Sequence, residues 1–176
     1  MIFEGRLRII SDSDGRTLDD IDTDQIYHNR HLAVTDIDEM GQYTFGNLEG
    51  YEDFPETVRE GDIILVGENF GSGSSRQQAV DCFISLKVKA VLARSIGAIY
   101  KRNAINMAFP IFVVEDIKLG PGQGDDNVRE GDVIRFDTET GEITRRGSRV
   151  GRISIPSRVQ MEIMAAGGLF KYGKNL

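Results

Sequence analysis

Two consecutive hydroxyls and a guanidinium, Ser74, Ser75 and Arg76, close a glycine-rich run that reads Gly67-Glu-Asn-Phe-Gly-Ser-Gly-Ser-Ser-Arg76. A hydroxyl both donates and accepts, an arginine offers a planar fork of donors, and glycine tolerates positive φ and close approach by a ligand. Gathered in one place, such groups suit a small anion, above all a carboxylate. Other chemistries fit poorly. A phosphate-cradling P-loop needs Gly-Lys-Ser/Thr at a fixed spacing that is absent. A dinucleotide fingerprint fails because Arg76 stands where a third glycine should pack helix on strand. A serine hydrolase wants Gly-x-Ser-x-Gly and a histidine base, and His28 and His31 have no evident orienting partner. Asp22, Asp24, His28 and His31 could be read as metal ligands, but such residues in a polar loop are more often solvated.

The flanking residues say what must hold this set in place. Ile63-Ile-Leu-Val66 precedes it as a buried strand, and Val80, Phe83 and Ile84 follow at i, i+3 and i+4 as a helix. On this reading the helix starts at the two serines, so its unpaired amides and dipole face the basin. Phe3 to Ile10, Val88 to Ala93 and Phe109 to Val114 read as strands, and Ser95 to Met107 as a second helix. Ser11 to Gly15 reads as a turn, Leu18 to Ile26 as an acidic loop, Asp36 to Thr44 as room for a helical turn, Gly46 to Pro55 as an exposed connection. Gly120 to Gly124 is a loop. Val133 to Phe136 and Glu142 to Thr144 flank a hairpin turn at 138–141. A last helix runs from about Arg158, with Ser157 and Gln160 as a capping box and Gly167-Gly168 as its stop. Val58-Arg-Glu-Gly-Asp-Ile-Ile64 recurs as Val128-Arg-Glu-Gly-Asp-Val-Ile134, each turn launching a strand. The sum is one α/β domain over residues 1–176, with a parallel central sheet and additional antiparallel strands.

Composition narrows the classes. A net charge of −7 (21 basic against 28 acidic residues) excludes a nucleic-acid footprint, which requires a basic face. Arg145, Arg146, Arg149 and Arg152 are the nearest approach to one. The start lacks the pattern of a signal peptide, and the longest apolar run, Met107 to Val114, is broken by Pro110 and is too short for a membrane span. A cytoplasmic, soluble protein is expected. One cysteine, Cys82, rules out an internal disulfide or a multi-cysteine metal cage in this chain; on an apolar helix face it reads as a small buried hydrophobe.

Gly67 to Arg76 resembles the signature of the swivelling domain of the aconitase superfamily. Asp22-Thr-Asp24 and Arg102-Asn-Ala-Ile-Asn106 before Phe109-Pro110 extend the resemblance, which covers about residues 1 to 170. Length and spacing are similar to the stand-alone small subunits of the 3-isopropylmalate dehydratase and homoaconitase family. The resemblance implies a swivelling β/β/α domain with a specificity loop at about 22–36, an active-site loop at 67–79 and a C-terminal helix at about 157–167. It also implies a hydro-lyase active only with a large subunit, as heterodimer or heterotetramer. That subunit would carry the [4Fe-4S] cluster, none being bound by this chain. The substrate is a small 2-hydroxy di-acid; membranes and nucleic acid have no part.

By position, Ser74 would be the catalytic base. Ser75, Arg76 and Gly73 would hold a substrate carboxylate, with Ser75 equally readable as an N-cap three residues before Gln78. Arg30 would contact the substrate from the head of the specificity loop, whose following residues His31, Leu32, Ala33 and Val34 are mostly aliphatic. The homoaconitase-type loop places an arginine here to meet a second distal carboxylate. Without one, an isopropyl group is the better guest, because a buried unpaired carboxylate is costly; isopropylmalate in leucine biosynthesis is thus the expected substrate. Homoaconitase-type and methylmalate-type activities stay open, as does a non-catalytic anion-binding module. Gln77, Gln78 and Ala98 depart from the family pattern.

Overall fold

In the computed structural model, which describes residues 1–120 and 127–174, the apolar runs become seven strands: β1 (Ile2–Ile9), β2 (Ile63–Val66), β3 (Ala90–Ala93), β4 (Ile111–Ile117), β5 (Val133–Asp137), β6 (Glu142–Arg145) and β7 (Ser148–Ile153). β1 to β4 pair in parallel and in sequence order, with Leu7 opposite Ile63, Ile63 opposite Ala90 and Val91 opposite Ile111. β4 then pairs antiparallel with β7, β7 with β6, β6 with β5, and β5 returns antiparallel to β1. The sheet therefore closes into a barrel. The mixed α/β class is as expected, and the parallel strands and antiparallel additions are both present; the unexpected feature is closure, which makes the parallel strands one side of a barrel. The antiparallel meander β5–β6–β7 bridges the two outer parallel strands, so neither remains an edge. The last of its strands, β7, escapes the sequence because its arginines and glycine disguise the alternation.

β2 and β3 are buried on both faces, which explains their unbroken apolar runs. Ile63, Leu65 and Leu92 point into the barrel with Leu7, Phe112, Phe136, Ile143 and Val150. Ile64, Val66 and Val91 point the other way, into a second core with Phe45, Phe54, Phe70 and Phe83. That outer core is roofed by the short helices α1 (Thr23–Ile26), α2 (Ile37–Met40) and α3 (Phe54–Thr57), and by α4 (Gln78–Ser85) and α5 (Ala98–Asn106). Gly46 to Pro55 is thus only partly the exposed connection it resembles, since Leu48 and Phe54 are buried in this core. α6 (Arg158–Ala166) matches the expected C-terminal helix: Ser157 Oγ accepts from the Gln160 amide, and Gly167 ends it at φ +78°. A further short helix, α7 (Leu169–Gly173), follows. The loop expected at Gly120 to Gly124 lies, beyond residue 120, outside the described residues.

Both Arg-Glu-Gly-Asp turns do launch strands, β2 and β5, and they share their wiring. Asp62 and Asp132 each accept the amide three residues back, that of Arg59 and Arg129, at 2.8 Å. Each also takes an arginine from another strand. Arg6 is forked on Asp62 at 2.9 and 2.6 Å, and Arg145 approaches Asp132 at 2.8 and 3.1 Å. The arginines at 145–152 accordingly belong to the β6–β7 hairpin and are not gathered into a basic patch; Arg145 is buried.

Candidate active site

The glycine-rich run leaves β2 and reaches α4 through an irregular turn. Gly71 stands at φ +74°, and a Cβ there would lie 2.3 Å from the ring of Tyr100, so α5 packs directly against this backbone. Gly73 stands at φ +98°, a region that L side chains rarely adopt, and throws Ser74 outward. Gly67 does not need positive φ; it is small because Leu18 and Asp19 crowd it. The expectation that the helix begins at the serines is corrected. The Arg76 amide bonds the Ser74 carbonyl at 2.9 Å in a tight turn, and α4 starts only at Gln78. Ser75 is not its N-cap; Gln77 holds that place without a side-chain cap and donates instead to the buried carboxyl of Asp81 at 2.9 Å. Ser74 and Ser75 are exposed at the surface, and no capping bond occupies Ser75.

A second segment meets this turn from fifty residues upstream. Asp22 pairs with Ser72 in a parallel bridge, and the Thr23 amide donates to the Ser72 carbonyl at 2.9 Å. Asp22 caps α1 with its carboxylate on the amides of Asp24 and Gln25, while Gln25 returns a bond to the Asp22 amide. This capping box, legible as Asp22-x-x-Gln25, is the signal that would have placed a helix where an acidic loop was expected. It fixes two groups on the site. Thr23 Oγ1 lies 3.2 Å from Ser74 Oγ, on a residue that is itself buried. Asp24 Oδ1 receives Arg76 Nη1 at 2.5 Å, and the same Nη1 also reaches the Tyr27 carbonyl at 3.1 Å. The Arg76 guanidinium holds the Asp24 carboxyl below the usual carboxylate range, helped by the Asn29 amide. Among the described residues nothing accepts from the Nε or Nη2 of Arg76. The fork is half used.

Arg30 sits in a 3₁₀ turn, Asn29–His31, directly after this cluster and is exposed. Asp24 bridges it to the serine turn, since its carboxylate takes both Arg76 and the Asn29 amide. Of the loop residues behind Arg30, Leu32 and Ala33 are exposed, and His31 is half-buried on Tyr43. Val34 packs against the outer core. The structure thus brings together Gly73, Ser74, Ser75, Arg76 and the head of the 22–36 loop, with Thr23 and Asp24 added to the set. The Arg102–Asn106 stretch has a packing role: Ala104 is buried, and Phe109 stacks on Phe83 at 6.1 Å.

A cluster-binding set is a different matter. Cys82 is fully buried on α4, and burial pushes its thiol up to about 12, the wrong state for a thiolate ligand. Among the described residues no three His, Cys, Asp or Glu side chains are grouped as metal ligands, and no helix is long and apolar enough to cross a membrane. These residues do not fit an iron–sulfur cluster.

The geometry defines a class: an α/β barrel domain whose glycine-rich turn presents two exposed serines and a half-engaged arginine. The sequence model described as Aconitase C-terminal domain matches residues 15–114, and the chain belongs to that family. Its relatives include the methanogen homoaconitase small subunit of Methanocaldococcus jannaschii, 38% identical over 89% of this chain and 86% of that one. Another is the 3-isopropylmalate dehydratase small subunit of Nautilia profundicola, 38% identical over 90% of each chain. The crystal structure of 3-isopropylmalate dehydratase from Methanocaldococcus jannaschii superposes with a TM-score of 0.81, at 34% identity, over 99% of this chain and 95% of that one.

Proposed function

We propose that this chain is the small subunit of a two-subunit hydro-lyase that isomerises a 2-hydroxy di-acid by dehydration and rehydration. Its substrate in this reading is 2-isopropylmalate, converted to 3-isopropylmalate in leucine biosynthesis. The observation that carries the reading is the half-used fork of Arg76 beside Ser74. Asp24 and the Tyr27 carbonyl aim the guanidinium through one nitrogen, leaving the remaining donors for a ligand carboxylate. Ser75, free of a capping role, adds a hydroxyl donor, and Gly73 removes the side chain that would crowd the acid group.

Ser74 Oγ, at the lip of the turn, acts as its alkoxide: it takes the proton from the carbon next to the departing hydroxyl, becoming the neutral hydroxyl, and returns that proton to the other carbon, which restores the alkoxide. Thr23 Oγ1, within hydrogen-bond reach, orients that oxygen. General-base catalysis of this kind contributes roughly 10² to 10⁴ in rate. The departing hydroxyl needs a Lewis acid, which the described residues do not fit. A [4Fe-4S] cluster held by a large-subunit partner supplies that electrophilic chemistry, and the small subunit alone is inactive.

The loop supports the choice of substrate. Of residues 31–34, Leu32 and Ala33 are the exposed ones and neither carries a cation, so a branched alkyl group laid against them meets no unpaired charge. The similarity to a homoaconitase small subunit keeps the longer di-acid as a second reading. Assayed with a cluster-bearing large subunit, the wild-type chain restores hydration of isopropylmaleate and Ser74→Ala lowers kcat by at least about 10². Near-full turnover by Ser74→Ala removes the base assignment, and failure of any large subunit to bind or activate the chain leaves only an anion-binding module.

A further inference from the structure

The groups around Arg30 do more than line a loop. Its backbone amide donates to His28 Nδ1 at 3.1 Å, and its side-chain Nε donates to His31 Nε2 at 2.9 Å. The His31 ring stacks on Tyr43, with centroids 3.9 Å apart and planes 15° from parallel. The His31 carbonyl accepts the hydroxyl of the fully buried Tyr27 at 3.1 Å, a phenol that burial pushes up to about 12 and so keeps as a donor. Tyr27 also packs edge-on against Tyr43 at 6.1 Å. An exposed arginine is thus tied at its backbone and at its Nε, while its two terminal nitrogens have no acceptor among the described residues.

We propose that His31 is a positioning residue: its imidazole, stacked on Tyr43 while the Tyr27 hydroxyl holds its backbone carbonyl, fixes the Arg30 guanidinium so that the outer edge meets a substrate carboxylate. This rests on the reading that Arg30 contacts substrate. The contact requires a neutral imidazole with its proton on Nδ1, because Nε2 must accept. Protonation at Nε2 removes the acceptor and sets a second positive charge against the guanidinium. The groups facing His31 are Arg30 and His28 from its own turn and the phenols of Tyr27 and Tyr43 from the neighbouring segments. A nearby carboxylate, Asp24, lies against His28 at 3.9 Å. Burial and then the charge of Arg30 hold the His31 imidazole below the ordinary histidine range, in the direction the contact needs. Substrate affinity therefore falls as the pH drops below that range, and kcat at saturation changes less.

The test uses the full chain for an NMR titration of the histidines and the complex with its large subunit for kinetics. Arg30→Gln should raise the His31 titration midpoint, since it removes both the bond and the charge. His31→Phe, which keeps the stack on Tyr43 but has no acceptor, should raise KM about ten-fold with kcat within about two-fold, the loss of one oriented charged contact. His31→Gln, which restores an uncharged acceptor, should return KM to near wild type and abolish its rise in acid. A His31 midpoint indifferent to Arg30→Gln overturns the pairing. A midpoint that moves while Arg30→Gln leaves KM unchanged overturns the proposal through the substrate contact beneath it. Equal KM values for His31→Phe and His31→Gln overturn the positioning role.

Discussion

Among the described residues, three arginine–aspartate pairs tie distant segments, and they are not alike. Arg6 on Asp62 is forked, two nitrogens to two oxygens, whereas Arg145 donates to Asp132 through one nitrogen and keeps its buried Nε 2.8 Å from the other oxygen without a hydrogen bond; each aspartate also holds the amide of its own turn. Those carboxylates are nearly or largely hidden, with side-chain exposures of 3% and 18%. Arg76 meets Asp24 through a single nitrogen, and that carboxylate is 34% exposed at the rim. The first two pairs hold β1 and β6 to the turns that start β2 and β5. The third leaves donors unspent beside two exposed hydroxyls. An arginine tied to a hidden carboxylate is architecture; one aimed but half free at the rim is what the proposed substrate contact requires.

Substitutions can break that contrast. The largest effect falls at Ser74, where alanine lowers kcat of the two-subunit enzyme by about 10² to 10⁴ while the melting temperature stays put. Arg76→Lys keeps a charge on Asp24 but loses the fork, and should lower kcat/KM about 10- to 100-fold with little change in stability. Arg6→Ala should do the opposite. It strands a buried carboxylate and costs about 3 kcal/mol in chemical denaturation, with activity per folded molecule retained. Acid sharpens the same comparison. The Asp24 carboxyl is held low by Arg76, so its contribution to stability is present above the ordinary aspartate range and is lost as the pH falls through the folded value; in Arg76→Gln this part of the acid limb should flatten. The smallest effect concerns Ala33, the exposed apolar neighbour of Leu32. Ala33→Arg should shift preference severalfold toward a di-acid with a second distal carboxylate, read as a ratio of kcat/KM values. Val34→Arg, at a side chain packed on the outer core, should instead register as lost stability.

How much of this was legible beforehand divides along physical lines. β2 and β3 announce themselves because both faces are buried, and the twin Arg-Glu-Gly-Asp turns give away the starts of β2 and β5. The serine–arginine set stands out because glycines, hydroxyls and a guanidinium are gathered in one short run. Barrel closure is not legible, since pairing Ile2 with Asp137 is a decision of tertiary packing that no local pattern records. The true start of α4 is hidden for a related reason: the tight turn from Ser74 to Arg76 and the backbone of Gly73 override a plausible cap at Ser75. Thr23 and Asp24 belong to the site only because the Asp22–Ser72 bridge lays two remote segments side by side.

The closed ring of strands also sets terms for assembly. With β5 returned to β1, the described sheet offers a companion protein no row of idle amides and carbonyls to extend. Recognition between subunits must be written in side chains and loop tips. Swapping those would re-address the domain to a different companion without disturbing a single rung of its ladder.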